Sequence, residues 1–282
     1  MRALRRRDKI GNAIQVTFGR HARGCVKILA LASPPALNDD AVHEIRIRIK
    51  KMRALLQLAR AAMGHRRYGR AKRNLQRTSR CLGSLRDAKV MLSTSEHLLQ
   101  HRDATKRAAV LLRLQRSLEA ARRRVSPAKR RTMAHDLINA QKISSEWPGS
   151  DAGWNALAES LRHEYARARK EFESARAAPS DQRLHGLRKR SKSLLYVCEF
   201  LGTVSPYAKA KSTQLNRLAV CLGNFHDLWL LKHANIPEHI EEKAGTKRRA
   251  LQQRALRLGA NIYCDSPGTF TKCVRKEWKK HR

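Results

Sequence analysis

His43, Arg46, Lys50 and Arg53 recur at steps of three and four along VHEIRIRIKKMRALL (42–56). At 3.6 residues per turn this spacing sets a histidine and three cations in one row, about one turn apart. Residues 184–198, LHGLRKRSKSLLYVC, repeat the device: His185, Arg188, Lys189, Lys192 and Tyr196 fall on a common arc. The chemistry available to such rows is anion capture. Arginine offers a planar fork that matches phosphate oxygens, and lysine offers a compact charge with rotatable donors. A histidine in the first turn adds an N–H donor where the helix dipole already favours anions. Like charges one turn apart repel, so two facing rows call for a polyanion between them. A single charged row is ordinarily a solvated face; its duplication favours a receptor.

The rows sit beside apolar stripes that must position them. Val42, Ile45, Ile49, Met52, Leu56 and Met63 follow helical spacing, as do Leu184, Leu187, Leu194, Cys198 and Leu201. Sustained period-two alternation is absent, and the prolines fall where helices start or stop, so the fold class is all-α. Helices are expected near 8–32, 39–63, 66–81, 85–101, 104–124 and 127–145. A further set is expected near 154–177, 180–202, 206–222, 225–234, 237–259 and 267–280.

The chain also repeats internally. HEIR (43–46) is followed by LGSLRD (82–87), and HGLR (185–188) by LGNFHD (222–227). Cys81 and Cys221 precede the Leu-Gly pair, with Arg77 and Arg217 four residues further back as candidates for secondary contacts. Asp39 and Asp181, four residues before each histidine, are candidate N-caps. The expected organisation is one domain over 1–282 made of two helical repeats, 8–146 and 152–280, joined through WPGSDAG (147–153).

Composition widens the charge argument to the whole chain. Lysine and arginine number 61 against 23 acidic residues, a formal net charge of +38 over 282 residues, spread along nearly every segment. A folded body this positive repels itself and calls for a dense anionic partner: nucleic acid, an acidic membrane surface or inorganic polyphosphate. No run of 18 apolar residues could span a bilayer, and the N-terminus lacks the apolar core of a signal peptide. The six widely spaced cysteines, none in a C-x-x-C pair, read as reduced, mostly buried thiols of a cytosolic protein and offer zinc no ligand set. His135-Asp136 and His226-Asp227 are HD dipeptides, but their cationic surroundings disfavour a divalent metal. Asp87 and Asp227 are expected to cap the following helix or pair with an arginine. Glycine-rich phosphate loops, nucleophile elbows and paired carboxylates are missing, so no catalytic machinery and no cofactor are expected. The scattered Trp147, Trp154, Trp229 and Trp278 read as bundle packing, not as stacking platforms for single-stranded nucleic acid.

HEIRIRIKKMR with LGSLRD, and HGLRKRSK with LGNFHD, closely resemble the CHAD family, the conserved histidine α-helical domain, over about residues 10–260. The resemblance implies two four-helix bundles related by a pseudo-twofold axis around a basic groove or channel that binds inorganic polyphosphate. It implies binding by His43, Arg46, Lys50, Lys51 and Arg53 from the first repeat, and by His185, Arg188 and Lys192 from the second. It also implies a cytoplasmic protein that localises to polyphosphate granules. Ser193 and Leu195 stand where the second repeat usually carries cations, Leu195 matching Arg53, so the second row is shorter and Tyr196 is its candidate hydroxyl donor. The rival reading is a nucleic-acid binder that uses the same cations on RNA or DNA phosphates. An enzyme acting on polyphosphate is disfavoured by the lack of carboxylate ligands.

Overall fold

The computed structural model describes residues 10–31, 37–99, 104–147, 154–232 and 238–280. They form α1 (Ile10–Leu31), α2 (Asp39–Leu58), α3 (Arg60–Met63), α4 (His65–Cys81), α5 (Gly83–Leu98), α6 (Ala104–Arg123), α7 (Pro127–Ser145), α8 (Trp154–Ala177), α9 (Asp181–Leu201), α10 (Pro206–Lys232), α11 (Glu238–Ile262) and α12 (Pro267–Lys280). The described residues contain no strand, and the all-α class stands.

Both row-bearing helices begin on a side-chain cap one residue before the expected one. The Asn38 carboxamide oxygen accepts from the Ala41 N–H at 2.8 Å, and the Ser180 hydroxyl accepts from the Arg183 N–H at 3.3 Å. Asp39 and Asp181 are therefore not the caps. They occupy the first helical position, where a carboxylate favours the dipole and stays free to pair with other helices. The segment expected as one helix over 39–63 breaks at Ala59, and α3 ends at Gly64, whose φ of +79° suits a residue without a side chain. The segments expected at 206–222 and 225–234 are one continuous helix, α10, which runs through LGNFHD. In the first repeat, LGSLRD instead interrupts the chain at Leu82 between α4 and α5. The Leu82 carbonyl accepts from the Arg86 N–H and also from Arg46 Nη1, each at 3.2 Å.

Helices α1, α2, α4 and α7 pack on one another, as do α8, α9, α10 and α12; α2 and α3 lie against α8 and α9. Among the described residues one large apolar cluster gathers side chains between Ile10 and Trp278, beside a small second one at Leu99 and Leu228. All the stripe residues of α2 and α9 named from the sequence are buried within it, together with Met63. Leu195 is buried there too, which explains why a leucine, not a cation, holds that position. Aromatic stacking reinforces the second set of helices: Tyr165 lies 4.3 Å from Phe270 and Trp154 lies 6.2 Å from Trp278, centroid to centroid. Trp147 is buried and donates to the Ala62 carbonyl at 2.9 Å.

The helices that frame the site form a closed circuit of contacts: α2 touches α9, α9 touches α10, α10 touches α5, and α5 returns to α2. No described helix is long and apolar enough to cross a membrane. The six cysteines are unpaired. Cys25, Cys198 and Cys221 are buried, Cys81 and Cys273 are half-buried, and Cys264 is exposed, so burial is less general than expected.

Candidate polyanion-binding site

Apolar stripes pin α2 and α9 into the core, and their adjacent polar faces point into the four-helix circuit. Arg46 and Lys50 come from α2, Arg188 and Lys192 from α9, and Arg86 from α5, all half-buried. The carboxylates among them are Asp87 on α5 and Asp227 on α10. Both engage the Arg86 guanidinium, Asp87 at 3.0 Å and Asp227 at 2.8 Å, so one arginine ties α5 to α10. Five cations thus share their surroundings with two carboxylates that already belong to one of them.

The electrostatic consequence is a set of depressed basicities. Burial, followed by the neighbouring charges of Lys192, Arg46, Arg188 and Arg86, lowers the Lys50 pKa to about 7. Burial also lowers Lys192 to about 8, with Arg188, Arg86 and Arg46 adding to the effect and Asp227 opposing it. Arg46 and Arg188 shift downward for the same leading reason, loss of solvent, with Arg86 the foremost charge against each. Arg188 Nε is buried without a hydrogen-bond partner. Cations crowded out of water with too few acids beside them constitute stored demand for negative charge.

The sequence profile of the CHAD domain matches residues 20–235, most of the chain. The chain belongs to the CHAD family. Across two strains of Mycobacterium tuberculosis, a curated relative is 27% identical over 191 residues, covering 62% of this chain and 37% of the relative. The chain thus spans little more than a third of the length of those relatives. Among solved structures, the crystal structure of the CHAD domain from the plant Ricinus communis superposes with a TM-score of 0.64. The identity there is 18%, over 99% of this chain and 95% of that one. That likeness extends the CHAD fold to nearly the whole chain.

Within this CHAD domain the remaining residues singled out from the sequence part company. His43 is exposed on the second turn of α2 and Lys189 is exposed on α9. His185 is half-buried, its ring 4.8 Å from that of His226, and burial with Lys189 and Arg188 nearby lowers its pKa. Lys51 is taken up by an ion pair with Glu199 at 3.1 Å and lies 5.7 Å above the Tyr196 ring. Tyr196 is pushed up to about 12 by burial and Glu199, so its hydroxyl stays a protonated donor. Arg53 is shifted downward by burial, with Tyr68 and Arg190 as the neighbouring groups. Arg77 forms an ion pair with the buried Asp136 of α7 and also donates to Asn74, so it fastens α4 to α7. Asp136 of the first HD dipeptide is thereby accounted for. Arg217 is exposed on α10. Ser193 donates to Glu164 Oε2 at 3.1 Å, which gives that position a structural task in place of a cation.

Sequence reasoning passed over Arg86. The signal was present: LGSLRD and LGNFHD align Arg86 with His226, and a cation at a repeated motif position marks it as facing whatever the motif faces.

Proposed function

We propose that this CHAD protein binds inorganic polyphosphate without chemical turnover, in a basic groove framed by α2, α5, α9 and α10. The carrying observation is the group of Arg46, Lys50, Arg86, Arg188 and Lys192, partly withheld from water with only the two Arg86-bound carboxylates offsetting it among the described residues. A flexible chain of phosphates supplies closely spaced negative charge that such a group can meet in several contacts at once. Family membership supports the same reading. His43 and His185 extend the surface toward the helix N-terminal ends and Lys189 extends it further along α9, and the two sequence repeats, 8–146 and 152–280, contribute one row each around a pseudo-twofold axis. The protein is cytoplasmic in this reading and its binding places it at polyphosphate granules.

The test is a titration with long-chain polyphosphate at several salt concentrations, with duplex DNA and RNA as competitors. Affinity rises with chain length and falls steeply with salt, since bound counterions are released as described for nucleic acids. A groove lined by half-buried cations admits a thin chain more readily than a duplex. A preference of about tenfold or more for polyphosphate, worth about 1.4 kcal/mol, upholds the reading. Equal competition by duplex DNA moves the function to general phosphate-backbone binding, and phosphate release on incubation contradicts the absence of turnover.

A further inference from the structure

Beside the cationic group, between the first turns of α9 and the C-terminal part of α10, lies a cavity of about 430 Å³. Its walls are chiefly apolar, formed by Leu184, Leu222, Phe225 and Trp229 with the imidazoles of His185 and His226, and Asp181 and Gln182 line it at the start of α9. His226 and Trp229 stack at 5.5 Å with 14° between their planes, and His185 lies 4.8 Å from His226. Arg188 belongs both to this wall and to the cationic group, so the cavity opens at one side onto guanidinium charge. Arg248 lies 4.8 Å from the Phe225 ring and pairs with Asp181, bracing two further parts of the wall. The size falls in the range of small-molecule sites, roughly 300–1,000 Å³.

The internal repeat supplies a control for whether the fold itself requires these rings. The first-repeat counterparts of Phe225, His226 and Trp229 are Leu85, Arg86 and Lys89. There the packing position is filled by a buried leucine, Arg86 reaches to Asp227, and Lys89 pairs with Asp39 at 3.1 Å. Although the chain is interrupted at Leu82 in the first repeat and continuous in α10, α5 carries these three positions on a helix with none of the three aromatic rings. The second repeat therefore carries a phenylalanine, a histidine and a tryptophan at the edge of the basic group where the first carries an aliphatic and two cations.

We propose that this cavity is a base-binding pocket, and that the protein takes nucleoside triphosphates with the base against His226 and Trp229, over the buried Phe225 as its floor, and the phosphates on Arg188 and the adjoining cations. Stacking is tolerant of base identity because every base has a π-face, and the neutral imidazole of His226, held down to about 3 by burial and by Arg188, adds a flat surface without repelling it. The proposal rests on the polyphosphate reading for its phosphate half and on the aromatic wall for the other.

The experiment compares ATP with inorganic tripolyphosphate, both in metal-free buffer, on the full chain by calorimetric titration. Tripolyphosphate carries at least as much negative charge, so electrostatics alone favours it or leaves the two equal. Binding of ATP tighter by about tenfold is expected from one stacked base. Trp229→Leu and Phe225→Leu, the latter restoring the first-repeat residue, should erase that margin while long-chain polyphosphate binds as before. Its unchanged binding certifies that the variants are folded. If wild-type protein binds ATP no better than tripolyphosphate while long polyphosphate still binds, the base pocket is refuted and the polyphosphate reading stands. If none of the three phosphates binds, both fall together.

Discussion

Lys50 shows at a single residue how this molecule trades stability for binding. Its pKa in the folded chain is about 7, against an ordinary lysine value near 10.5, so the unfolded chain holds more protons between those limits. A lysine lowered on folding costs stability in full below its folded pKa, and the cost fades as pH rises toward the unfolded value. Replacement by a neutral chain of similar shape should therefore stabilise the ligand-free protein near pH 6. For Lys50→Met the expected gain is about 1 kcal/mol in thermal or denaturant melts. The gap between variant and wild type should close by about pH 10, as the shift itself dictates. The same variant should bind polyphosphate more weakly. Because a bound polyanion restores the charged form, wild-type binding near pH 8 should also take up protons, seen as a buffer-dependent heat in calorimetry. A wild type and variant that melt alike at every pH would contradict this.

Asp227 gives a residue-scale prediction of opposite sign. It holds Arg86 at 2.8 Å, so Asp227→Asn removes a competing carboxylate and releases one side of the guanidinium while Asp87 keeps the other. Polyphosphate affinity should rise by about threefold, within the range of a partly exposed ion pair. Arg86→Ala should lower affinity by about tenfold or more, since it deletes one cation and leaves Asp87 and Asp227 uncompensated. The direction of each change is read in the same titration.

Helices are the scale at which the sequence was most legible. Every stripe residue assigned to the buried faces of α2 and α9 is buried, because a 3.6-residue period states which face meets the core without saying what lies opposite. That silence explains what was not legible. Lys51 and Arg77 look like further members of a binding surface until Glu199 and Asp136 arrive from distant helices to pair with them. Asp39 and Asp181 read as caps by residue type, yet Asn38 and Ser180 take the capping bonds. The two carboxylates instead anchor α2 to Lys89 and Arg122 and α9 to Arg248. The expectation of helices at 206–222 and 225–234 divided the single helix α10 at its Leu-Gly pair. The same pair sits at an interruption in the first repeat and inside a helix in the second, so tertiary context decides. Close packing between elements offers its own test at Gly259 of α11. A methyl group there would lie 2.5 Å from the Phe172 ring of α8, which is buried and packed against Tyr263. Gly259→Ala gains helix propensity but should still destabilise by about 1–2 kcal/mol, an overpacking cost measurable by denaturant melts.

For the whole molecule the governing quantity is the net charge of +38. Much of it lies on exposed faces, such as Arg66 and Arg67 on α4, where water and salt screen it. The cations within the α2–α5–α9–α10 circuit are instead half-buried, and four of them, Arg46, Lys50, Arg188 and Lys192, are depressed in basicity. A diffuse coat and a built groove therefore predict different responses to the same loss of charge. The chain's CHAD membership and its fold are compatible with either, and the distinction lies in which cations matter.

The most direct measurement compares two double variants with equal charge loss, Arg46→Ala/Arg188→Ala in the groove and Arg66→Ala/Arg67→Ala on the surface. Each is titrated with long-chain polyphosphate at physiological ionic strength. The groove pair should weaken binding by about tenfold or more, worth about 1.4 kcal/mol, and the surface pair by no more than about threefold. Equal losses for the two variants would mean that the charge acts as a coat, and would contradict the assignment of the site to the paired helices.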